Sequence, residues 1–349
     1  MRDPLCKTFR YEASAIVDRQ PARDFVRKRR HVRNMVTTHA PSRAALVAHA
    51  RASIAKGSKS FAMASKLFDP VTRERAWLLY AWCRACDDLA DGQDHGGDIR
   101  RVDDPLARLA HIRDLTDRAL AGEATGDPAF DGLGLVAAEC AIPHSYIHDL
   151  IDGFALDARD WRPRTTHDLL TYCYHVAGAV GCMMAVVMGV DPADEATLDR
   201  ACDLGLAFQL ANIARDVGED DAAGRCYLPM EWLAEMDLPP GEHMKPWARP
   251  RLAVLGKRLA RMAADYEDSA RIGTPALPFR AAWAVLAAAG IYGDIARTVG
   301  KQGERAWDNR VFTTKGEKLG WLVKALGQAS ARKRLYPPRP RPADLWTRP

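Results

Sequence analysis

Two aspartate pairs share one spacing in this chain and lie more than a hundred positions apart. Asp87 and Asp91 belong to CRACDDLAD, and Asp216 and Asp220 to NIARDVGED. Residues four apart on a helix share a face, with Cβ atoms roughly 5–6 Å apart. Each pair is therefore a set of carboxylates pointing the same way, and like charges so placed repel unless cations offset them. This constrains the fold: two helices must present their acidic faces across a bundle. Two such pairs would hold Mg²⁺ ions, which take oxygen ligands together with substrate phosphates. The arrangement suits binding and ionising a diphosphate.

A lone DxxxD is ordinarily a solvated helix face. Several details argue otherwise here. Each pair has an arginine beside it, Arg84 and Arg215, and each follows an apolar or aromatic stretch, AWLLYAWC at 76–83 and LGLAFQLANI at 204–213. Such flanks suit buried helices. Gln209, Asn212, Asp216 and Asp220 recur at spacings of three and four, a polar stripe on an apolar segment. Buried polar groups need partners, and a metal–diphosphate cluster would supply them.

The formal net charge of +5 sits in the tails. Residues 1–40 carry ten Lys/Arg against four Asp/Glu, and 332–349 carry six against one. The body, 41–331, is net acidic, so no nucleic acid partner is expected. The reading divides the chain into a basic, disordered extension at 1–40, one domain at 41–331 and a disordered Pro/Arg-rich tail at 332–349. Arg27-Lys28-Arg29-Arg30 could touch anionic lipid, and Met35 is an alternative start. The N-terminus lacks an apolar signal-peptide core. Eight cysteines without a framework suggest a reduced, cytoplasmic protein. Cys83 and Cys86 read as packing residues. The apolar stretch 176–190 is too short to span a bilayer comfortably, and the Ala-rich 281–299 contains Asp294 and Arg297. Both read as central helices of a bundle.

Helices are expected at about 43–56, 70–91, 104–121, 129–141, 144–158, 166–190, 194–222, 246–271, 276–300 and 313–331. Asp69-Pro70 and Asp127-Pro128 have the form of a cap followed by Pro at the first helical position. GSKSF at 57–61 reads as a break. No run of strands is visible, so an all-α single domain is expected.

Further residues carry chemistry. Lys59, between Ser58 and Ser60, could neutralise a phosphate. Arg225 in GRCYLP is close enough to fold back over the second aspartate helix, and Tyr80 lies one turn before Arg84. Tyr172 and Tyr174 precede the small-residue run AGAVG, whose glycines would let helices approach or leave room for a slender apolar ligand. Tyr292 lies late in the chain, as does Arg310, which could grip a diphosphate bidentately.

With these residues in place, the chain resembles the squalene/phytoene synthase family of head-to-head prenyl synthases, and its bacterial phytoene-forming members most. The similar segments are SKSF (58–61), LYAWCRACDDLADGQ (79–93), YCYHVAGAVG (172–181), FQLANIARDVGEDDAAGRCYLP (208–229) and RAWDNRVFTTKGEKL (305–319). The resemblance implies an isoprenoid-synthase helical bundle with a deep central cavity. It implies condensation of two geranylgeranyl diphosphates to phytoene through a cyclopropyl diphosphate, with release of two diphosphates and no NADPH. By motif, Asp87, Asp91, Asp216 and Asp220 would hold Mg²⁺, or Mn²⁺ in its place, with Asn212 and Gln209 assisting. Ser58, Lys59, Ser60, Tyr80, Arg84, Arg215, Tyr292 and Arg310 would contact the diphosphates. The departure at Gly57, where some relatives carry a polar ring, removes one expected phosphate contact. Asp88 and Asp221 read as second-layer groups or surface charges. The alternative within the family is a C30 synthase using farnesyl diphosphate. A water-insoluble product suggests peripheral membrane contact, and the oligomeric state is left open.

Overall fold

Helix starts in this chain are written in Asp-Pro and Thr-x-x-acid signals. The computed structural model describes residues 41–92 and 104–349, apart from the side chains of Lys59, Ser60 and Asp91. Asp69 accepts from the amides of Val71 and Thr72 at the start of α3 (Pro70–Asp91), with Pro70 at the first helical position. Asp104 opens α4 (Pro105–Leu120) and Asp127 opens α5 (Pro128–Cys140) in the same way. Each cap satisfies orphan donors of the first turn, and proline there loses nothing. Thr165 and Asp168 form a reciprocal capping box for α7 (Thr166–Cys173). At its other end α3 stops at Gly92, whose φ of 62° is left-handed.

The other helices are α1 (Arg43–Gly57), α2 (Lys59–Ser65), α6 (His144–Asp157), α8 (Ala179–Val187), α9 (Glu195–Ala222), α10 (Met230–Glu235), α11 (Arg249–Arg271), α12 (Phe279–Gln302), α13 (Lys315–Ser330) and α14 (Arg332–Leu335). Among the described residues there is no strand, and the all-α expectation holds. GSKSF is less of a break than expected. Ser58 accepts from the Phe61 amide at 3.2 Å and so caps α2 directly after α1.

Helix α9 is central, packed against α8, α11 and α12. A Cβ on Gly205 would lie 2.3 Å from the Ala177 carbonyl oxygen, and one on Gly181 would lie 2.4 Å from that of Ala201. Only glycine lets these backbones approach so closely. Between α7 and α8 the chain widens into one π-helical turn, Tyr174–Gly178. Such bulges re-aim side chains and concentrate at functional sites. The whole stretch Thr166–Val187 is long and apolar enough to cross a membrane by composition, but most of it is buried in the bundle.

Residues Ala40–Pro349 form one compact unit. The extension expected at 1–40 lies outside the described residues. The tail expected to be disordered at 332–349 is instead docked on the bundle. Arg341 forks onto Asp203 of α9, Arg348 reaches Asp199 and Tyr146, and the Trp346 amide donates to Tyr266 Oη at 3.1 Å. Proline-rich composition suppresses helix and strand, but it does not prevent an extended strap from docking when buried acids await its arginines.

Candidate active site

The two aspartate helices meet at one polar cleft of about 290 Å³, lined by Asp87 of α3 and by Gln209, Asn212, Asp216 and Asp220 of α9. Asp157, Tyr172, Arg225 and Tyr227 complete its polar lining. Asp216 is gripped from two sides. Arg215 forks onto it, with Nε 2.6 Å from Oδ1, and Arg310 does the same with both bonds at 3.1 Å. Arg310 also lies 3.8 Å from Glu219. Across the cleft Arg84 Nη1 is 3.4 Å from Asp87 Oδ2. Burial, followed by the charge of Asp216, pushes the Asp220 carboxyl up to about 7. Asp220 thus sits where its charge is disfavoured.

A second, mostly apolar cavity of about 450 Å³ adjoins the cleft. Both are lined by Val176, Gln209 and Asn212, so the polar and apolar spaces are continuous at that point. Ser58, Tyr80, Arg84 and Tyr292 supply polar groups to the cavity, and Phe61, Phe68, Val180, Met184, Leu204 and Phe208 much of its apolar wall. Tyr80 Oη and Arg84 Nε are buried neighbours and, among the described residues, neither makes a hydrogen bond of normal geometry. Buried donors left so are costly unless a ligand completes them. Gly57 lies beside them: a Cβ there would be 2.5 Å from Tyr80 Oη and 3.4 Å from Arg84 Nε. The missing side chain at 57 is therefore matched by the space that Tyr80 fills.

Most residues singled out in the sequence gather here. Asp87, Asn212, Asp216, Asp220, Gln209, Tyr172 and Arg225 line the cleft, Arg215 and Arg310 bind its carboxylates, and Ser58, Tyr80 and Arg84 line the adjoining cavity. The backbone of Asp91 ends α3, while its side chain and those of Lys59 and Ser60 lie outside the described set. Tyr292 stacks on Phe208, with ring centroids 4.3 Å apart, along the apolar cavity, and it is absent from the cleft lining. Asp221 faces away, 3.4 Å from the buried His243. Asp157 and Tyr227 were missed by sequence reasoning. Tyr172 and Tyr227 stack at 4.8 Å and both donate to Asp157, at 3.0 and 2.9 Å. Asp157 sits at the end of α6 with no spacing pattern around it, so nothing local marked it.

The cleft's donor set fits a hard divalent cation. Carboxylates and carboxamides are oxygen donors, and among the described residues no histidine or cysteine lines the cleft. Among the described residues no three acidic, His or Cys side chains form a ready-made metal centre.

The sequence matches the squalene/phytoene synthase family model over residues 54–317. It is 48% identical over 307 residues to a 15-cis-phytoene synthase of Pantoea ananas, covering 87% of this chain and 98% of the relative. It is 46% identical over 307 residues to a 15-cis-phytoene synthase of Paracoccus, with the same coverages. Among solved structures, a dehydrosqualene synthase in complex with ligand superposes with a TM-score of 0.73 at 28% identity, covering 83% of this chain and 98% of that one. A squalene synthase from Alicyclobacillus acidocaldarius gives a TM-score of 0.65 at 25% identity, with coverages of 74% and 94%.

Proposed function

The chain belongs to the squalene/phytoene synthase family, and on that premise we propose that it is a phytoene-forming prenyltransferase. Its substrate is geranylgeranyl diphosphate, two molecules of which are joined head to head. The observation that carries this reading is the junction at Val176, Gln209 and Asn212, where an oxygen-donor cleft opens into an apolar cavity. An amphiphilic diphosphate needs both spaces at once. The choice of the C20 substrate rests on the relatives at 46–48% identity, which are phytoene synthases.

Asp87, Asp91, Asn212, Asp216 and Asp220 would hold Mg²⁺, or Mn²⁺ in its place. The ion, when bound, neutralises the departing diphosphate as a Lewis acid. Arg84, Arg215 and Arg310 add fixed positive charge where negative charge develops on the leaving oxygens. Ser58 and Tyr80 offer hydroxyls to the same phosphates, and among the described residues Tyr80 Oη makes no hydrogen bond of normal geometry that would compete. Breaking the C–O bond of one substrate leaves an allylic cation, which a double bond of the second attacks. Loss of a proton then gives the cyclopropyl diphosphate, and a second ionisation, rearrangement and deprotonation give the triene. Water would quench either cation, so the apolar wall from Phe61 to Phe208 has to exclude it. No step consumes a hydride, so NADPH has no role.

The test is turnover with purified protein and Mg²⁺, without NADPH, offering geranylgeranyl and farnesyl diphosphates separately. A C40 triene from the longer substrate is expected. A C30 product from the shorter one alone would move the protein to the squalene branch while preserving the cleft assignment. Replacement of Mg²⁺ by Mn²⁺ in the same assay tests the ion.

A further inference from the structure

Helix α13 lies on the outer side of α12, whose Ala288, Ile291 and Tyr292 line the reaction cavity. Its inner face is well seated. Ala325 and Ala329 are fully buried, Trp321 covers Gly290, and the Leu322 carbonyl accepts from Trp283 Nε1 at 2.8 Å. Its outer face is not seated against any described residue, and it carries an apolar stripe. Leu319, Val323 and Leu326, at spacings of four and three, are 62, 66 and 39% exposed. Gly316, Gly320 and Gly327 on the same helix have open space where a side chain would project, so the three apolar side chains stand clear of the surface. The stripe continues to Phe312, 73% exposed, just ahead of α13.

Two properties fix what this face meets. The first is charge. Residues 315–335 hold six Lys/Arg and one acid, Glu317, which is engaged in the capping box of α13 with Thr314. An apolar stripe on a helix that begins with the exposed Lys315 and runs on to the exposed Lys333 and Arg334 complements an anionic bilayer surface. Against a second copy of itself, the same residues would set positive charge against positive charge. The second is position. Phe312 stands two residues from Arg310, whose guanidinium binds Asp216 in the cleft, and Thr313 beside it donates to the Ile291 carbonyl at the cavity wall at 3.1 Å. The stripe therefore begins at the edge of the reaction site.

We propose that α13 and Phe312 form a docking face for an anionic lipid bilayer, through which the enzyme meets its amphiphilic substrate and sheds its hydrocarbon product. The role in substrate traffic rests on the function proposed above; the docking itself does not. The experiment is flotation of the full-length protein with vesicles of phosphatidylcholine alone and of phosphatidylcholine mixed with phosphatidylglycerol. The unaltered protein should float with the anionic vesicles only and be released by salt. Leu319→Ser/Val323→Ser/Leu326→Ser and, separately, Lys315→Glu/Lys333→Glu/Arg334→Glu should each lower the floated fraction about tenfold. Circular dichroism and turnover of detergent-dispersed geranylgeranyl diphosphate should stay unchanged in both, because these side chains project into solvent. Flotation of either variant at the unaltered level overturns the proposal, as does failure of the unaltered protein to float. So does light scattering that shows a dimer broken by the serine variant. Loss of turnover in the unaltered protein with normal flotation would overturn the catalytic reading and leave the docking face standing.

Discussion

Helix α9 carries two buried acidic sites, built from the same residue type and put to opposite uses. Near its start Asp203 is fully buried and completely matched. Arg341 of the C-terminal strap binds both its oxygens, Ser269 Oγ donates to Oδ2, and Arg200 donates to Ser269 Oγ at 2.6 Å and to the Arg339 carbonyl at 2.8 Å. Near its end Asp216 and Asp220 share a cleft with Asp87 and Asp157, and burial together with Asp216 lifts Asp220 to about 7. The first site is closed, with charge balanced within the protein. The second opens on a cavity, and there burial and the neighbouring Asp216 disfavour the charge of Asp220. A matched buried acid specifies structure; one whose charge is disfavoured beside a void invites a cation.

The same kind of substitution should therefore have different consequences at the two sites. Asp216→Asn is expected to cut turnover at least about 10³-fold, since it removes a cation ligand and the anchor of two arginines. Its unfolding midpoint should move less than that of an Asp203 variant, because removing the Asp216 charge also relieves its repulsion of Asp220. Phytoene formation and a thermal melt on one preparation check both halves. Asp203→Asn should do the reverse. Removing one partner of a buried ion pair costs about 3–5 kcal/mol, so urea unfolding should shift by about that amount, with turnover retained at permissive temperature. A variant with normal stability and no turnover would place Asp203 in the chemistry and erase the contrast.

The sequence revealed one of these sites and hid the other. Asp216 and Asp220 were legible because a spacing of four, repeated at Asp87 and Asp91, is a geometric statement about helices. The helix starts at Pro70 and Pro128 were legible for a similar reason, as their caps are local chemistry. Asp203 and Asp157 carry no such mark. Their partners, Arg341 and the tyrosines at 172 and 227, lie 138, 15 and 70 positions away, and only the folded chain brings them together. The strap was misread for the same reason. Proline and arginine content reports what a segment cannot form by itself, while docking depends on acids elsewhere. That Tyr292 stacks on Phe208 in the cavity is likewise a product of the folded chain, with no mark in the local sequence.

A smaller effect sharpens the contrast in sign. The raised carboxyl of Asp220 means that the folded state disfavours its charge. This penalty is present above the folded value of about 7 and fades as pH falls towards about 4, where both folded and unfolded states hold the proton. In a chelating buffer above neutrality, Asp220→Asn should stabilise the protein by about 1 kcal/mol. Asp203→Asn in the same buffer destabilises it. Added Mg²⁺ should raise the melting temperature of the unaltered protein and have less effect on Asp220→Asn. A destabilised Asp220→Asn would mean that this end of α9 is as closed as the other.

The smallest expected effect concerns how far the closed site extends along the strap. Arg348 lies beyond Arg341, with a side chain only 8% exposed, yet its partners differ in kind from Asp203. Its Nε reaches Asp199 Oδ1 at 2.8 Å and its Nη1 reaches Tyr146 Oη at 2.9 Å, while its contact with Glu195 is to a side chain that is 70% exposed. Water can replace Arg348 at Glu195, whereas it cannot reach Asp203. Arg348→Ala should therefore cost about 1 kcal/mol, within the range of partly exposed pairs and lost packing, and leave turnover unchanged. Arg341→Ala should cost several times as much, because it strands a fully buried carboxylate. Urea unfolding of the two variants side by side measures the ratio. Equal losses would show that the strap docks as one cooperative unit, and that the arginine–aspartate contact at its centre has no special weight.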